Sequence, residues 1–177
     1  NWKTAMSGAS SSDANPSGVQ GVCPSGWHLS SDSEWEELAS YIANESGLTG
    51  KTSDDWNGIG KLLKANSDLW STNTGTDDYG FNALPSGYRW VNGEFKMQTK
   101  YTPWWSTSKL SLNPLYRSVE ETSDFLYRFG NDSTSFFSVR CLKDATPPTS
   151  GTFTDSRDNN SYKYVTIGTQ VWMAENL

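Results

Sequence analysis

Two cysteines and one histidine are the residues of this chain best suited to nucleophilic or metal chemistry. Cys23 stands in a turn-rich Gly-Val-Cys-Pro-Ser-Gly segment, and His28 follows Trp27, a setting typical of a core histidine. A serine nucleophile would need the same histidine, and the chain has no Gly-x-Ser-x-Gly motif. A structural zinc site usually takes three or four Cys or His ligands, which this set does not readily supply. We therefore predict no enzyme, no catalytic residue, no metal site and no cofactor.

A disulfide is the better explanation of the two cysteines. Cys23 and Cys141 lie far apart within the first 144 residues, so a bond between them would tie the ends of one domain together. In the loop-entropy description, such a bridge contributes up to about 5 kcal/mol, less any strain. It would also imply an oxidising, extracytoplasmic location. The residues alone leave two free thiols as the alternative.

Aromatic side chains are the second group with binding chemistry, because nine Trp, eight Tyr and seven Phe make up 14% of the chain. Sugar rings have apolar faces that stack on such rings, so Trp90, Tyr101, Trp104 and Trp105 are candidate ligand-binding residues. Adjacent residues of a strand point to opposite faces. We therefore expect one residue of the pair Trp104 and Trp105 to pack in the core and the other to face outward. The alternative is that all of these rings fill a core that has few aliphatic residues.

Charge and hydropathy exclude two kinds of partner. The chain has 14 Lys and Arg against 20 Asp and Glu, a net charge of −6, whereas a phosphate backbone requires a basic surface. No apolar run approaches the roughly 20 residues of a membrane span. We predict neither a nucleic-acid partner nor membrane insertion. Acidic pairs such as Asp54-Asp55 and Asp77-Asp78 are expected in exposed loops, since nothing holds them at the separation that glycoside hydrolysis requires.

The first half of the chain predicts two helices. Ser31 and Glu34 form the S-x-x-E pattern of a capping box, and an apolar stripe at helical spacing begins at Trp35. Gly47 is expected to end this helix. A shorter helix is predicted over residues 54–66, with Asp54 or Asp55 as its N-cap.

The second half predicts antiparallel strands. Asn92-Gly93 is a strong hairpin signal, and it predicts a turn between strands at 88–91 and 94–97. Further strands are predicted over 104–107, 115–119, 125–129 and 136–142. Helices followed by a run of strands indicate an α+β domain with an antiparallel sheet.

Three parts are expected along the chain: a body over residues 1–144, a linker over 145–150, and a β-hairpin segment over 151–177. The linker, Ala-Thr-Pro-Pro-Thr-Ser, is stiffened by two prolines. The last segment carries strands on both sides of Gly168-Thr169 but no core of its own, and a lone hairpin is marginal in water. It must therefore pack on its own body or on a neighbouring subunit. The residues expected to make that contact are Phe153, Tyr162, Tyr164, Val165, Ile167, Val171, Trp172 and Met173.

Several ordered stretches of the sequence together resemble one known family. In the body they are residues 19–29, which read VQGVCPSGWHL, with 31–35, 78–89, 104–106 and 137–141. In the C-terminal segment they are residues 153–158 and 171–177. These stretches resemble the Fibrobacter succinogenes major paralogous domain, a family of bacterial cell-surface modules. The resemblance implies a fold related to C-type lectin-like domains and a secreted or cell-surface location, while the family's biochemical function is largely undefined.

The order of these stretches is permuted relative to the family, in which the segment similar to 153–177 normally comes first. Joining Glu175-Asn176-Leu177 to Asn1-Trp2 would restore a family-like continuation, so we interpret the chain as one period of a tandem array. In a C-type lectin-like fold the first and last strands pair. The C-terminal hairpin should therefore pair beside residues 136–141 of its own domain or of the next subunit. The second arrangement would give a head-to-tail filament by strand addition.

These observations predict a secreted or cell-surface structural or adhesive repeat module, with copies of itself as partners. The alternative is a carbohydrate-binding module that uses exposed aromatic residues, with a polysaccharide as partner. The residues of a lectin-type calcium site are not matched, because Asn113-Pro114-Leu115 has a leucine where an oxygen ligand is needed.

Overall fold

The computed structural model describes residues 1–72, 74–144 and 150–177. Across these ranges the chain forms three helices, α1 (Trp2–Met6), α2 (Asp32–Ser46) and α3 (Ile59–Leu63). Ten strands accompany them: β1 (Trp27–Leu29), β2 (Tyr88–Arg89), β3 (Phe95–Lys96), β4 (Tyr101–Leu110), β5 (Asn113–Glu120), β6 (Tyr127–Gly130), β7 (Cys141–Lys143), β8 (Ser150–Thr154), β9 (Ser161–Ile167) and β10 (Gln170–Met173). This is the α+β class that the sequence predicts. The predicted linker lies outside the described residues except for Ser150, which begins β8.

Local capping decides where α2 begins and ends. Ser31 Oγ accepts a hydrogen bond from the Glu34 amide at 3.1 Å, and Glu34 Oε2 accepts one from the Ser31 amide at 2.9 Å. Gly47 ends the helix in the left-handed conformation, with a φ of 65°. The predicted capping box and helix end are both confirmed.

The start of α3 differs from the prediction. The N-cap is Gly58, which makes no side-chain capping bond. Asp54 and Asp55 are held elsewhere, because Arg128 donates from Nη1 to Asp54 at 3.0 Å and from its amide to Asp55 at 2.8 Å. The prediction that one of these aspartates caps the helix is therefore wrong. The short helix α1 was not predicted, since five residues carry too little periodicity.

The strands form antiparallel sheets of five, three and two strands. Their orders are β1-β7-β10-β9-β8, β4-β5-β6 and β2-β3. The strand predicted over 136–142 is shorter than expected, because β7 begins only at Cys141. Before it, Phe136 forms an isolated bridge with Arg89, and Ser138 forms one with Trp104. This segment therefore connects the two smaller sheets before its last residues join the large one.

Residues 150–177, here called the ribbon, pack on the body of the same chain. The strand β10 pairs with β7 through Trp172 opposite Leu142, so the ribbon extends the sheet that the body begins. All four residues of β10 are buried. Trp172 lies on one face of the sheet, in a core with α2, while Val171 and Met173 lie on the other, in a core with Trp27.

The remaining ribbon residues predicted to make contacts divide between the same two cores. Val165 and Ile167 contact the core that contains α2. Phe153 stacks on Trp27 of β1 with ring centroids 4.6 Å apart, and Tyr164 contacts the same indole at 6.0 Å. Tyr162 stacks on Phe153 at 5.6 Å. In this structure the docking of the ribbon is therefore intramolecular.

The two cysteines form a disulfide in the second core. Cys23 and Cys141 are both fully buried, and their Cα atoms lie 6.0 Å apart. The bond joins the turn before β1 to the first residue of β7, and these two strands are neighbours in the large sheet. The disulfide therefore holds the edge of the body on which the ribbon docks.

Candidate functional site

An aromatic pocket of about 260 Å³ is a concave surface with binding chemistry. Five aromatic side chains, one methionine and two polar residues line it: Tyr88, Trp90, Tyr101, Tyr116, Phe137, Met97, Glu120 and Asn131. Pockets of this composition, apolar with a few polar groups at defined places, are typical of small-ligand sites. The sequence analysis predicted two of these residues, Trp90 and Tyr101, as ligand contacts, and the structure brings them to the same pocket.

The β2–β3 hairpin positions one wall of the pocket. Tyr88 and Trp90 are two residues apart, and their rings meet edge to face at 6.1 Å. The hairpin is attached to β4 because the Gly87 amide donates to the Tyr101 carbonyl at 2.7 Å. Gly87 has a φ of 63°, and a Cβ there would lie 2.4 Å from the Lys96 carbonyl oxygen. Only glycine fits this close approach without strain.

Phe137 and Tyr116 form the floor, and buried rings support it from behind. Phe137 lies 5.7 Å from Tyr88 and 4.8 Å from Tyr116, in both cases edge to face. Beneath it, Trp105 stacks on Phe137 with centroids 4.3 Å apart. Trp105 therefore supports the pocket and does not line it.

The expectation that Trp104 or Trp105 faces solvent is wrong. Trp104 is 0% exposed and Trp105 is 1% exposed, because β4 is covered on both faces. Trp104 packs against Trp35 of α2 at 5.4 Å, and its Nε1 donates to Asn176 Oδ1 of the ribbon at 2.8 Å. The alternation of directions along the strand was correct, but both directions lead into a core.

Around its opening the pocket is exposed and apolar. Of the residues that line the pocket, Trp90 is 39% exposed and Met97 is 48% exposed. Exposed apolar side chains at the mouth of a pocket are typical of an interaction site. Its polar groups are neutral phenols together with Glu120 and Asn131. Burial raises the pKa of Tyr101 and of Tyr116, so both hydroxyls stay protonated at neutral pH, and that of Tyr101 donates to Tyr116.

A row of aromatic rings continues from the pocket along β6 and the residues before it. Phe125, Tyr127 and Phe129 stack in turn, with centroid distances of 5.4 and 5.6 Å. Phe129 then contacts Tyr116 at 5.9 Å. The sequence predicted only a strand for these residues. Their period-two spacing, F-x-Y-x-F, was a signal that the three rings share one face.

His28, the one histidine in the sequence, is a structural residue in the core. It is 4% exposed, and its ring lies between two carboxylates. His28 Nε2 is 2.7 Å from Glu34 Oε1, and Nδ1 is 2.6 Å from Asp144 Oδ1. Burial lowers the pKa of His28, but the two carboxylates more than offset this effect, so the pKa is raised above its ordinary value.

Charged residues at the start of α2 and on the neighbouring strands form ion pairs with one another. Arg117 is 1% exposed and donates from Nε to Asp32 Oδ1 at 2.8 Å, and Arg128 donates to the other oxygen of Asp32 at 2.6 Å. This cluster fastens α2 to β5 and β6. Within residues 1–72, 74–144 and 150–177, no group of three or more His, Cys, Asp or Glu side chains could hold a metal ion. Over the same ranges, no helix is long and apolar enough to cross a membrane.

The fold and the pocket define a class of protein: a disulfide-linked α+β domain with an exposed aromatic surface. The family model described as the Fibrobacter succinogenes major domain matches residues 1–143. The chain belongs to this family, as the resemblance in its sequence indicated. The match ends at β7, so the ribbon lies beyond it. Searches of the curated proteins and of the solved structures found no match.

Proposed function

We propose that this domain is a secreted or cell-surface adhesion module that binds polysaccharide through its aromatic pocket. One observation carries the proposal: Trp90 stands 39% exposed at the rim of a pocket walled by four further aromatic rings. An exposed indole of this kind offers a flat apolar face to the C–H groups of a sugar ring. The proposal is one of binding without catalysis.

Polar groups at the pocket complement the hydroxyls of a sugar. The phenol of Tyr101 donates to Tyr116, which leaves the proton of Tyr116 free to donate to a sugar. The carboxylate of Glu120 accepts, and the amide of Asn131 does both. The pocket volume of about 260 Å³ suits one sugar ring and part of a second. A single site of this size binds weakly, so adhesion would depend on several copies engaging one polymer. The disulfide supports an extracytoplasmic location.

The proposal is tested by titrating cello-, xylo- and manno-oligosaccharides against the protein and recording tryptophan fluorescence and heat. We expect millimolar to micromolar dissociation constants for at least one series. Trp90→Ala should weaken that binding at least tenfold, since the sugar ring loses the indole on which it stacks. The control is Leu112→Ala, which removes another exposed apolar side chain, 88% exposed, on the β4–β5 turn and outside the pocket lining. Absence of binding to every series at millimolar sugar would contradict the proposal.

We also propose that the fold is related to C-type lectin-like domains. The support is topological. When the ribbon is counted first, as in the order of the family, it supplies the first three strands and β7 is the last, and the ribbon pairs with β7 through β10. The disulfide at Cys141 lies beside this junction. An experimental structure with a different relation between the terminal strands would contradict this assignment.

A second candidate function is head-to-tail assembly by exchange of the ribbon between copies. The observation that favours it is the complete burial of Trp172, which the ribbon contributes to the core of the body. The same contacts can form between two chains, because nothing in the pairing of β10 with β7 depends on their being in one polypeptide. Repetition of this exchange would produce a filament.

Shortening the linker tests ribbon exchange. Deletion of residues 146–149 should prevent the ribbon from folding back and should drive the chain into dimers and longer assemblies. Size-exclusion chromatography with light scattering and negative-stain microscopy would measure this. The control replaces the same four residues with a Gly-Ser sequence of equal length. This variant should keep the oligomeric state of the parent. Monodisperse, folded monomers of the shortened chain at all concentrations would reject the exchange.

A further inference from the structure

A cleft of about 640 Å³, lined by both apolar and polar residues, lies between the body and the ribbon. The body contributes residues 69, 82, 84–86 and 98–99, and the ribbon contributes residues 160–162 and 175–176. Arg140 lines it from the strand-like segment before β7. We call this space the Arg140 cleft. It is the larger of the two concavities described in this article, and the proposed function does not use it.

Arg140 is a buried cation without an ion pair among the described residues. It is 1% exposed, and its guanidinium lies over the rings of Phe81 and Trp104, 4.3 and 5.6 Å from their centroids. Its hydrogen bonds go to neutral oxygen atoms. Nη1 donates to the Phe81 carbonyl at 2.7 Å and to the Met173 carbonyl at 2.8 Å, and Nε donates to Asn176 Oδ1 at 3.1 Å. No hydrogen bond from Nη2 to a described residue accompanies these three. A planar guanidinium carries five N–H donors, so part of its donor capacity stays unused.

Two other buried cations of the chain, Arg117 and Lys64, have polar partners for their charge or for their N–H groups. Arg117, also 1% exposed, contacts the carboxylates of Asp32 and Glu36. Lys64, 1% exposed, has no carboxylate partner, but its Nζ lies within hydrogen-bond distance of four oxygen atoms, more than its three N–H groups require. Arg140 differs from both, because Asp77 and Glu175 act on it only from beyond ion-pair distance and its described acceptors do not match all five of its N–H groups. A carboxylate brought by a ligand would supply what is missing.

The Arg140 cleft and the aromatic pocket share a wall. Ser86 and Gln98 line the cleft, whereas Tyr88 and Met97 line the pocket. Only Gly87 separates Ser86 from Tyr88, and Gln98 follows Met97 directly, so the two sites lie side by side along this wall. The hydrogen bond from the Thr99 amide to the Pro85 carbonyl, 3.2 Å long, closes the wall between the two segments.

The backbone of this shared wall is strained. Met97 has a φ of 55° and Thr99 a φ of 67°, although neither residue is glycine. A β-branched residue such as threonine rarely adopts this region, and such outliers occur most often where a ligand is held. The strain lies where a chain passing from one site to the other would cross.

We propose that the Arg140 cleft and the aromatic pocket form one binding track for an acidic polysaccharide. A sugar ring stacks on Trp90, and the carboxylate of a nearby uronic acid residue pairs with the guanidinium of Arg140. This inference rests on the proposed function and names its ligand class. Glu175 also lines the cleft, and its carboxylate opposes an anion there. Glu175 thereby provides a test that leaves Arg140 and its structural bonds in place.

The experiment compares two forms of one ligand by calorimetry at low ionic strength: oligogalacturonides of a fixed length, and the same oligosaccharides fully methyl-esterified. The acid form should bind about tenfold more tightly, and added salt should reduce the difference. Glu175→Gln should strengthen binding of the acid form about threefold without changing binding of the ester. The glutamine can still accept the bond that Glu175 Oε2 accepts from the Lys163 amide. The matched control is Glu45→Gln, which makes the same change of net charge at an exposed position of α2.

Any result other than these overturns the inference of a joint binding track. The results also show whether the proposed function, sugar binding in the aromatic pocket, fails with it. Equal affinity for acid and ester means that no carboxylate is recognised, although pocket binding stands. A preference for acid that Glu45→Gln changes as much as Glu175→Gln means that the carboxylate lies outside the cleft. Binding of neutral oligosaccharides alone likewise removes the inference and leaves the proposed function. Failure of every oligosaccharide, acidic and neutral, removes both.

Discussion

The indole of Trp172 lies 4.6 Å from the indole of Trp35, measured between ring centroids, and both rings are fully buried. Trp35 belongs to α2 of the body and Trp172 to the ribbon. Phe81 contacts both rings, at 5.8 and 5.7 Å. The centre of the core is therefore shared between the body and a segment that lies beyond residues 1–143, the range that the family model matches. The ribbon is a structural part of the domain.

Loss of the Trp172 ring should destabilise the whole domain. Trp172→Ala leaves a large cavity between Trp35 and Phe81, and we expect the free energy of unfolding to fall by roughly 3–5 kcal/mol. Urea denaturation followed by circular dichroism measures this. Trp90→Ala is the control, because that ring is 39% exposed and its loss should cost roughly 0.5 kcal/mol or less. Equal losses in the two variants would contradict the shared core.

Reduction of the disulfide should weaken the same junction. The double variant Cys23→Ala with Cys141→Ala should lose roughly 2–4 kcal/mol of unfolding free energy, since the bond closes a loop that spans most of the body. Thermal melting with and without dithiothreitol measures the effect. Reductant should lower the melting temperature of the parent and leave that of the double variant unchanged. A parent protein indifferent to reductant would show that the bond is not formed.

Features that depend on neighbours in sequence were predictable, and features that depend on distant segments were not. The capping box of Ser31 and Glu34 involves four consecutive residues, so the sequence indicates it directly. The N-cap of α3 could not be predicted, because Arg128, more than 70 residues away, binds the two aspartates that would otherwise serve. The same limit explains the length of β7, whose preceding residues bridge to Arg89 and Trp104.

The candidate site follows the same rule. Trp90 lies beside the Asn92-Gly93 turn, where an aromatic residue has no element to cover it, and its exposure could be expected. The burial of Trp105 depends on Phe137, which packs on it from a segment about 30 residues later. Nothing in the sequence around Arg140 indicated a buried arginine without an ion pair. Its acceptors are carbonyl oxygens of Phe81 in the body and Met173 in the ribbon, both distant in sequence.

His28 should make stability depend on pH in a defined direction. Burial lowers its pKa, but Glu34 and Asp144 raise it by more, so the folded-state pKa lies above the unfolded value of about 6.5. The stabilisation is complete below about pH 6.5 and is lost as the pH rises through the folded-state pKa. The unfolding free energy should therefore decrease from pH 6 towards pH 9, as measured by urea denaturation.

The variant His28→Gln isolates this effect. It keeps hydrogen-bonding capacity but does not titrate, so the difference between parent and variant should shrink as the pH rises. The N-terminal amine of Asn1 titrates in the same window with the opposite sign, because burial lowers its pKa. Its contribution is present in both proteins and cancels in the difference. A difference that is constant between pH 6 and pH 9 would contradict an imidazolium held by two carboxylates.

Gly87 should be essential to the pocket for two separable reasons. Its φ of 63° disfavours any side chain, and a Cβ would lie 2.4 Å from the Lys96 carbonyl oxygen and 2.9 Å from the Gln98 amide. Gly8 has a φ of 85° with nothing within 4 Å of such a Cβ, so Gly8→Ala measures the conformational cost alone, roughly 1 kcal/mol. Gly87→Ala should cost more than that and should also weaken oligosaccharide binding, because the hairpin that carries Tyr88 and Trp90 must move away from β4. Denaturation and titration of both variants measure the two effects. If both variants lost the same stability and kept the parent's affinity, the close approach at Gly87 would not hold the pocket together.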